Sequence, residues 1–197
     1  KAIALLDQAG WKPGPDGIRV KNGVKLKYLY QTSINQPRQK TQAIVKQACA
    51  KAGIDIELKS VVASVFFSSD VANPDTFPKF YSDLQMYTTG PTQPDPAQWL
   101  RLFLSSELSQ KANKWQGRNI TRWQSKEYDD TWNAAENELD PIKRAALLIK
   151  ANDLVIQANV IIPILFRLSV SAAVKNLSVP LSGWESELAE LRAWRYT

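Results

Sequence analysis

The chain has 197 residues, 44% hydrophobic and 22% charged, with 25 Lys and Arg against 19 Asp and Glu for a net charge of +6. This composition suits one well-packed domain or two small ones; it excludes a disordered chain, and no stretch reaches the roughly 18 apolar residues that span a bilayer. Histidine is absent, which removes the commonest general base and transition-metal ligand and excludes Ser-His-Asp, Cys-His and zinc-hydrolase chemistry for this chain alone. No carboxylate pair or lysine stands out in their place, so no catalytic, cofactor-binding or metal-binding residues are expected. The single cysteine, Cys49, cannot form an internal disulfide, and its setting IVKQACAKAG predicts a buried structural thiol. The basic balance permits contact with nucleic acid or an anionic surface without requiring either.

The chain opens inside a helical pattern, residues 2–9, closed by Gly10 with Trp11 packing back. It carries neither an initiator Met nor a helix cap there, so a fragment or processed product is expected. A hairpin follows, 17–20 and 24–30, around Asn22-Gly23, two residues that tolerate positive φ. After a loop at 32–37 come a helix at 38–52 ended by Gly53 and a strand at 54–61, where Ile54, Ile56 and Leu58 alternate with charged residues. A strand, a helix and a strand in this order predict a βαβ unit. Residues 66–80 are less regular; 84–88 read as a strand, 90–96 as a proline-rich loop, 97–104 as a short helix and 107–121 as a polar loop.

Helices are predicted at 126–139 and 141–158, the second begun by Asp140, whose carboxylate caps the first turn, with Pro141 where its missing N–H costs nothing. Ile142, Ala145, Ala146, Ile149, Val155 and Ile156 fall roughly at helical spacing and are the expected apolar face. A turn at Asn159 leads to an apolar strand at 162–168, and Trp184, Leu188, Leu191 and Trp194 predict an amphipathic helix over 186–194. The reading is one α/β domain over residues 1–197, without an internal repeat or a linker.

Four segments resemble one family in order and spacing. LLDQAGW followed by DGIRVKNG resembles its "LL.EAGW…DG…DG" segment, and QTSINQPRQKTQAIVKQACAKAGIDIELKSV its strand, loop, helix and "GI.VE" strand. QPDPAQWL is similar to "YPDP..FL", and WQSKEYDDTWNAAENELDPIKRAALL to its "YSNPEYD.LL..A....DP.KR..L" helices. The family is that of the bacterial extracellular solute-binding proteins of oligopeptide, dipeptide and nickel ABC importers. The resemblance implies an α/β fold, one lobe of a two-lobe periplasmic-binding-protein-like fold of type II, with a mixed sheet flanked by helices. It implies a C-terminal lobe portion, with the first lobe lying upstream and any site here being half a site. It further implies a non-catalytic, periplasmic or extracellular receptor, held at the membrane through the importer's permease.

In peptide-binding members the loop after the strand matched by residues 84–88 carries an aspartate that pairs with the ligand's α-ammonium. Counting back from Asp95-Pro96 places that aspartate on Thr92 and the family's preceding tryptophan on Thr89. A threonine hydroxyl orients a polar group but does not neutralise an ammonium in a dry cleft. The expected ligand is therefore a peptide or peptide-like solute held by another anchor, with an opine or other non-peptide solute as the alternative. Thr88, Thr89, Gly90, Thr92 and Gln93 form the first candidate contact, at a strand's C-terminal end where ligands gather; a tight turn is the competing reading. Asp95 reads as the cap of the helix at 97–104. Trp115 and Arg122, within KWQGRNITRW, form the second, suited to stacking on and pairing with an anionic or ring-bearing ligand. Solvated charge and packed tryptophans are the competing reading there, Trp123 in particular packing under the next helix. A nucleic-acid-binding domain, the remote alternative, is disfavoured by the interspersed acidic residues, as in Lys126-Glu127.

Overall fold

A computed structural model describes residues 1–91, 93–166, 170, 172–180 and 190–197. Contacts divide the chain into two compact units, Lys1–Thr88 with Ser109–Ile120, and Thr89–Leu108 with Thr121–Thr197. The sequence reads as one domain without a linker; the chain passes between the units at Thr88–Thr89, Leu108–Ser109 and Ile120–Thr121.

Unit 1 begins with α1 (Ala2–Gln8) and a small antiparallel sheet of β1 (Lys12–Pro13), β2 (Arg19–Lys21) and β3 (Val24–Lys25). Asn22 and Gly23 turn β2 into β3 with φ of 52° and 79°, as the Asn-Gly signal predicts. The predicted 24–30 strand is two strands. Leu26, 4% exposed, is the corner: its N–H donates to Arg19 O and its carbonyl accepts from Asp55 N. Beyond it β4 (Lys27–Ser33) leaves the hairpin for a different sheet.

Helix α2 (Gln36–Ala50) and β5 (Asp55–Val61) complete the βαβ unit. Asn35 caps α2 by accepting from Arg38 N at 3.3 Å. Strands β4 and β5 are parallel from Lys27↔Asp55 to Ser33↔Val61. After the single turn α3 (Ala63–Phe66), β6 (Leu84–Met86) pairs parallel to the other edge of β4, giving the order β5-β4-β6. The polar residues of the central strand are buried and bonded: Gln31 Nε2 donates to Asp75 O at 2.7 Å, and Thr32 Oγ1 to Met86 O at 2.6 Å. Gln42 of α2, 1% exposed, donates to Tyr30 O at 2.7 Å. Cys49 is half-buried rather than buried, because the outer face of α2 stays open, and burial still raises its thiol pKa.

Unit 2 is built on helix packing. Its core joins Ala97 and Leu100 of α4 (Ala97–Leu100), Phe103 and Leu104, Tyr128 and Ala135 of α5 (Lys126–Asn137), and Leu148, Ala151 and Val155 of α6 (Pro141–Gln157). The predicted helix at 97–104 is α-helical only to Leu100 and tightens to a 3-10 turn over Arg101–Phe103. Tyr128 is fully buried and its hydroxyl donates to Leu100 O, while Trp132 Nε1 donates to Ala97 O at 3.1 Å, fixing α5 against α4. Burial raises the Tyr128 pKa. Asp140 caps α6 as expected, accepting from Ile142 N and Lys143 N at 2.9 and 3.2 Å.

Of the predicted apolar face of α6 only Val155 is buried, and the other five residues are exposed. Leu148, Ala151 and Val155 face the core, while Ile142 and Ile149 are 80% and 62% exposed. The helix is apolar on most sides, so packing partners, not periodicity, choose the face. The strand predicted at 162–168 is irregular over its described part, with Ile162, Leu165 and Phe166 exposed. An apolar run becomes a strand only where a sheet edge pairs with it. Most of the predicted helix at 186–194 lies outside the described residues; its end is a 3-10 turn, Leu191–Ala193. There the chain runs into β8 (Arg195–Tyr196), paired antiparallel with β7 (Leu177–Ser178).

The junction after α2 yields a test. Gly53 has φ +78°, and a Cβ there would stand 2.8 Å from Arg19 Cγ and 3.0 Å from Gly17 O. Gly53→Ala is expected to destabilise by at least the ~1–2 kcal/mol of a left-handed non-glycine residue, read as a lower urea midpoint; an unchanged midpoint contradicts this account of the junction.

Candidate functional site

Because β4, β5 and β6 run parallel, their C-terminal ends at Ser33, Val61 and Met86 lie along one edge of the sheet. Parallel α/β sheets offer this edge to ligands, since the loops leaving it are free to vary while the strands hold them in place. Here the ladder runs one step further, Ile34 N donating to Val61 O at 2.7 Å, before the chain turns into α2.

Four aromatic rings and one arginine gather at this edge. Phe66, fully buried, meets Phe67 edge-on at 4.9 Å, and Phe77 bridges Phe67 at 5.9 Å and Tyr87 at 5.5 Å. Phe67 keeps 44% of its surface exposed. Arg38 Nη1 donates to Ser33 Oγ at 2.5 Å, and the guanidinium carbon lies 5.8 Å from the Phe67 ring centre. Burial raises the Tyr87 hydroxyl pKa. Arg38, Phe67 and Tyr87 are absent from the sequence-based candidates. Their signal was positional: each follows the end of one parallel strand, and only the strand order shows that those ends adjoin.

The sequence-based candidates fall on both units. Thr88 closes the first segment of unit 1, two residues beyond Met86, and is exposed; β6 stops short of it because its pairing with β4 ends at Thr32↔Met86. Thr89, Gly90 and Gln93 begin unit 2 and are exposed, and a Cβ placed on Gly90 would meet nothing within 4 Å. Thr92 lies outside the described residues. Asp95 is a structural cap: it accepts from Ala97 N at 2.9 Å and pairs with Arg144 at 3.0 Å.

Trp115 belongs to the Ser109–Ile120 excursion of unit 1, half-buried, with its ring edge-on to Tyr81 at 5.6 Å and Lys79 Nζ 5.9 Å from its centre. Arg122 belongs to unit 2 and is half-buried. Trp115 and Arg122 have φ of 61° and 57°, a conformation that costs a non-glycine residue about 1–2 kcal/mol. Trp123 packs on Tyr128 at 5.1 Å, the bland reading of that tryptophan. Among the described residues no group of three or more Cys, Asp or Glu is placed to hold a metal ion.

Residues 1–111 match the family described as "Bacterial extracellular solute-binding proteins, family 5 Middle". The chain is 29% identical over 152 residues to the dipeptide-binding protein DppE of Bacillus subtilis, an alignment covering 76% of this chain and 25% of that protein. An oligopeptide-binding protein from Thermus thermophilus, solved with a pentapeptide, superposes with a TM-score of 0.66 at 25% identity, over 79% of this chain and 27% of that one. An ABC transporter substrate-binding protein from Sinorhizobium meliloti gives a TM-score of 0.69 at 20% identity, over 100% of this chain and 37% of that one. The chain thus spans about a quarter of the length of the curated relatives it matches.

Asp95 supplies a pH test. The Ala97 N–H, and after it the Arg144 guanidinium, hold its carboxyl below the usual value of 3.8. A depressed pKa adds stability that is complete above the unfolded value and is lost as pH falls through the folded one. Wild type is therefore expected to lose stability below about pH 4 more steeply than Asp95→Asn, measured by urea unfolding across pH. Parallel pH profiles would rule the contribution out.

Proposed function

We propose that this chain, which belongs to the bacterial extracellular solute-binding proteins of family 5, supplies part of the ligand-contacting surface of an ABC importer's solute receptor. The observation that carries the reading is the parallel sheet, whose three C-terminal ends share one edge and whose third strand runs on into the exposed Thr88, Thr89 and Gly90. Hydroxyls and backbone groups on a loop held by a rigid strand suit the capture of a polar solute. The matching DppE is a dipeptide-binding protein and the Thermus thermophilus relative was solved with a pentapeptide, which favours a peptide or peptide-like ligand. The second reading, an opine or other non-peptide solute, is favoured by Thr89 and Thr92, which stand where the family places a tryptophan and an ammonium-binding aspartate.

On this reading the chain is the C-terminal lobe portion of a two-lobe receptor. Ligand contacts bias the lobes toward closure, and the closed form docks on the membrane permease from the periplasmic or extracellular side. The exposed apolar Ile162, Ile164, Leu165 and Phe166 suit a strand that pairs with the first lobe's sheet. The function is capture, not catalysis. Nucleic acid is a poor partner, since Lys25, Lys59, Lys126, Lys150, Arg101 and Arg144 each pair with a carboxylate. No helix of the described residues is long and apolar enough to cross a membrane.

The test is native mass spectrometry and thermal shift of the full-length receptor against a peptide mixture. A retained solute and a raised melting temperature are expected. The double variant Thr88→Val, Thr89→Val should then bind about tenfold more weakly, the sum of two modest hydroxyl hydrogen bonds. Affinity equal to wild type would remove this loop from the site, and failure of every solute to bind would sink the receptor reading.

A further inference from the structure

Helix α6 turns Leu148, Ala151 and Val155 into the core of unit 2, yet the face it turns away is apolar as well. Ile142, Ile149 and Ile156 stand there with 80%, 62% and 39% of their surface exposed. They recur every seven residues, a spacing that drifts by only about 20° per step and so makes one nearly straight row. Ala145 and Ala146, also exposed, flank the row and leave room for another backbone to come close. The outer face of a surface helix is ordinarily polar. A row of isoleucines along about four turns therefore marks a contact surface, and among the described residues nothing covers it.

The row is its own complement. Ile149 lies midway between Ile142 and Ile156. A second α6, laid antiparallel with a two-fold axis at Ile149, sets Ile149 on Ile149 and Ile142 of each copy on Ile156 of the other. The charges beside the row agree with that register. Lys143 and Asp153 lie on the same flank, six residues before Ile149 and four after it. Within one helix they are about 15 Å apart, too far to pair. The two-fold axis brings Lys143 of one copy level with Asp153 of the other to within about 3 Å along the helix. In the single chain the Asp153 carboxylate lies 3.5 Å from the neighbouring Asn152 amide, and Lys143 takes part in no ion pair among the described residues. Lys150, which would approach its own copy near the axis, is already paired with Glu127 at 2.9 Å. Antiparallel order also sets the positive N-terminus of each helix beside the negative C-terminus of the other. We infer that the outer face of α6 is a self-association surface, on which two copies of this protein pair antiparallel about Ile149 with two Lys143–Asp153 ion pairs across the contact.

The test is sedimentation equilibrium of the full-length receptor without solute, so its result is independent of the receptor reading. One helix pair is a small interface, and a reversible dimer with a dissociation constant in the range of about 1–100 μM is expected. Ile149→Glu, counted once in each copy, should raise that constant about a hundredfold or more. Lys143→Glu and Asp153→Lys should each weaken the dimer several-fold, and the protein carrying both changes should regain most of the loss, because the exchanged charges meet again across the two-fold axis. Melting temperatures serve as the folding control, since all three side chains are exposed. A receptor that stays monomeric at about 500 μM, or a dimer that Ile149→Glu leaves intact, overturns the surface. A monomer whose melting temperature falls sharply in Ile149→Glu also overturns it, because the row is then covered within one chain. Losses that add in the doubly changed protein overturn the antiparallel register.

Discussion

From Tyr30 to Thr32, strand β4 is buried and has a parallel neighbour on each side, and the candidate site depends on that constraint. A buried strand must bond its N–H and C=O groups on both edges. Parallel pairing satisfies them only if each neighbour is reached by a crossover, and it brings all three strand ends to one side. Ser33, Val61 and Met86 therefore end together, and whatever follows them is displayed together: Arg38, Phe67, and Tyr87 with Thr88. The polar side chains of β4 serve the same end. Gln31 and Thr32 bind carbonyls of Asp75 and Met86, so the residues that fill the interior also hold the flanking segments that shape the edge.

At the opposite end of unit 1 a buried arginine joins parts distant in sequence. Arg19, 5% exposed, donates to Ala52 O at 2.8 Å and to Asp7 and Trp11 O at 2.6 Å each. It ties α1 and the small hairpin to the junction where α2 turns into β5. A buried charge is tolerated only when paired and hydrogen-bonded, and Arg19 meets both conditions. Unit 2 is held in another way, by helices packed around Tyr128 and anchored at their starts by the carboxylates of Asp95 and Asp140.

What could be read from the sequence was local. The Asn22-Gly23 turn, the Gly53 end of α2, the Asp140-Pro141 start of α6 and the alternation in β5 each announce themselves within a few residues, because backbone geometry there depends on the residue type itself. What could not be read was set by partners far along the chain. The apolar alternation runs unbroken through Leu26, so the break between β3 and β4 shows only when Arg19 and Asp55 bond its backbone. Helix α6 is apolar on most sides, and the residues it packs against decide that Leu148 is buried and Ile149 exposed. The return of Ser109–Ile120 to unit 1 rests on the bond from Ser109 Oγ to Pro78 O at 2.9 Å and on Trp115 meeting Tyr81, contacts without local signature. The site was legible to the same degree. The threonine loop follows a recognisable strand, whereas Arg38 and Phe67 become neighbours only through the order β5-β4-β6.

At this edge of unit 1 the exposed Thr88 follows β6, and Arg38 beside the Phe67 ring follows β4 and β5. On the proposed receptor reading these groups face the ligand from strands that hold them in place. Hydrogen exchange on the full-length receptor, with and without the solute that native mass spectrometry finds retained on it, addresses this directly. Protection is predicted to rise at residues 34–38, 62–67 and 87–91, the segments that leave the three strand ends, with little change in the hairpin at 12–25. Protection that leaves those three segments unchanged would contradict the assignment of the sheet's C-terminal edge as the ligand surface.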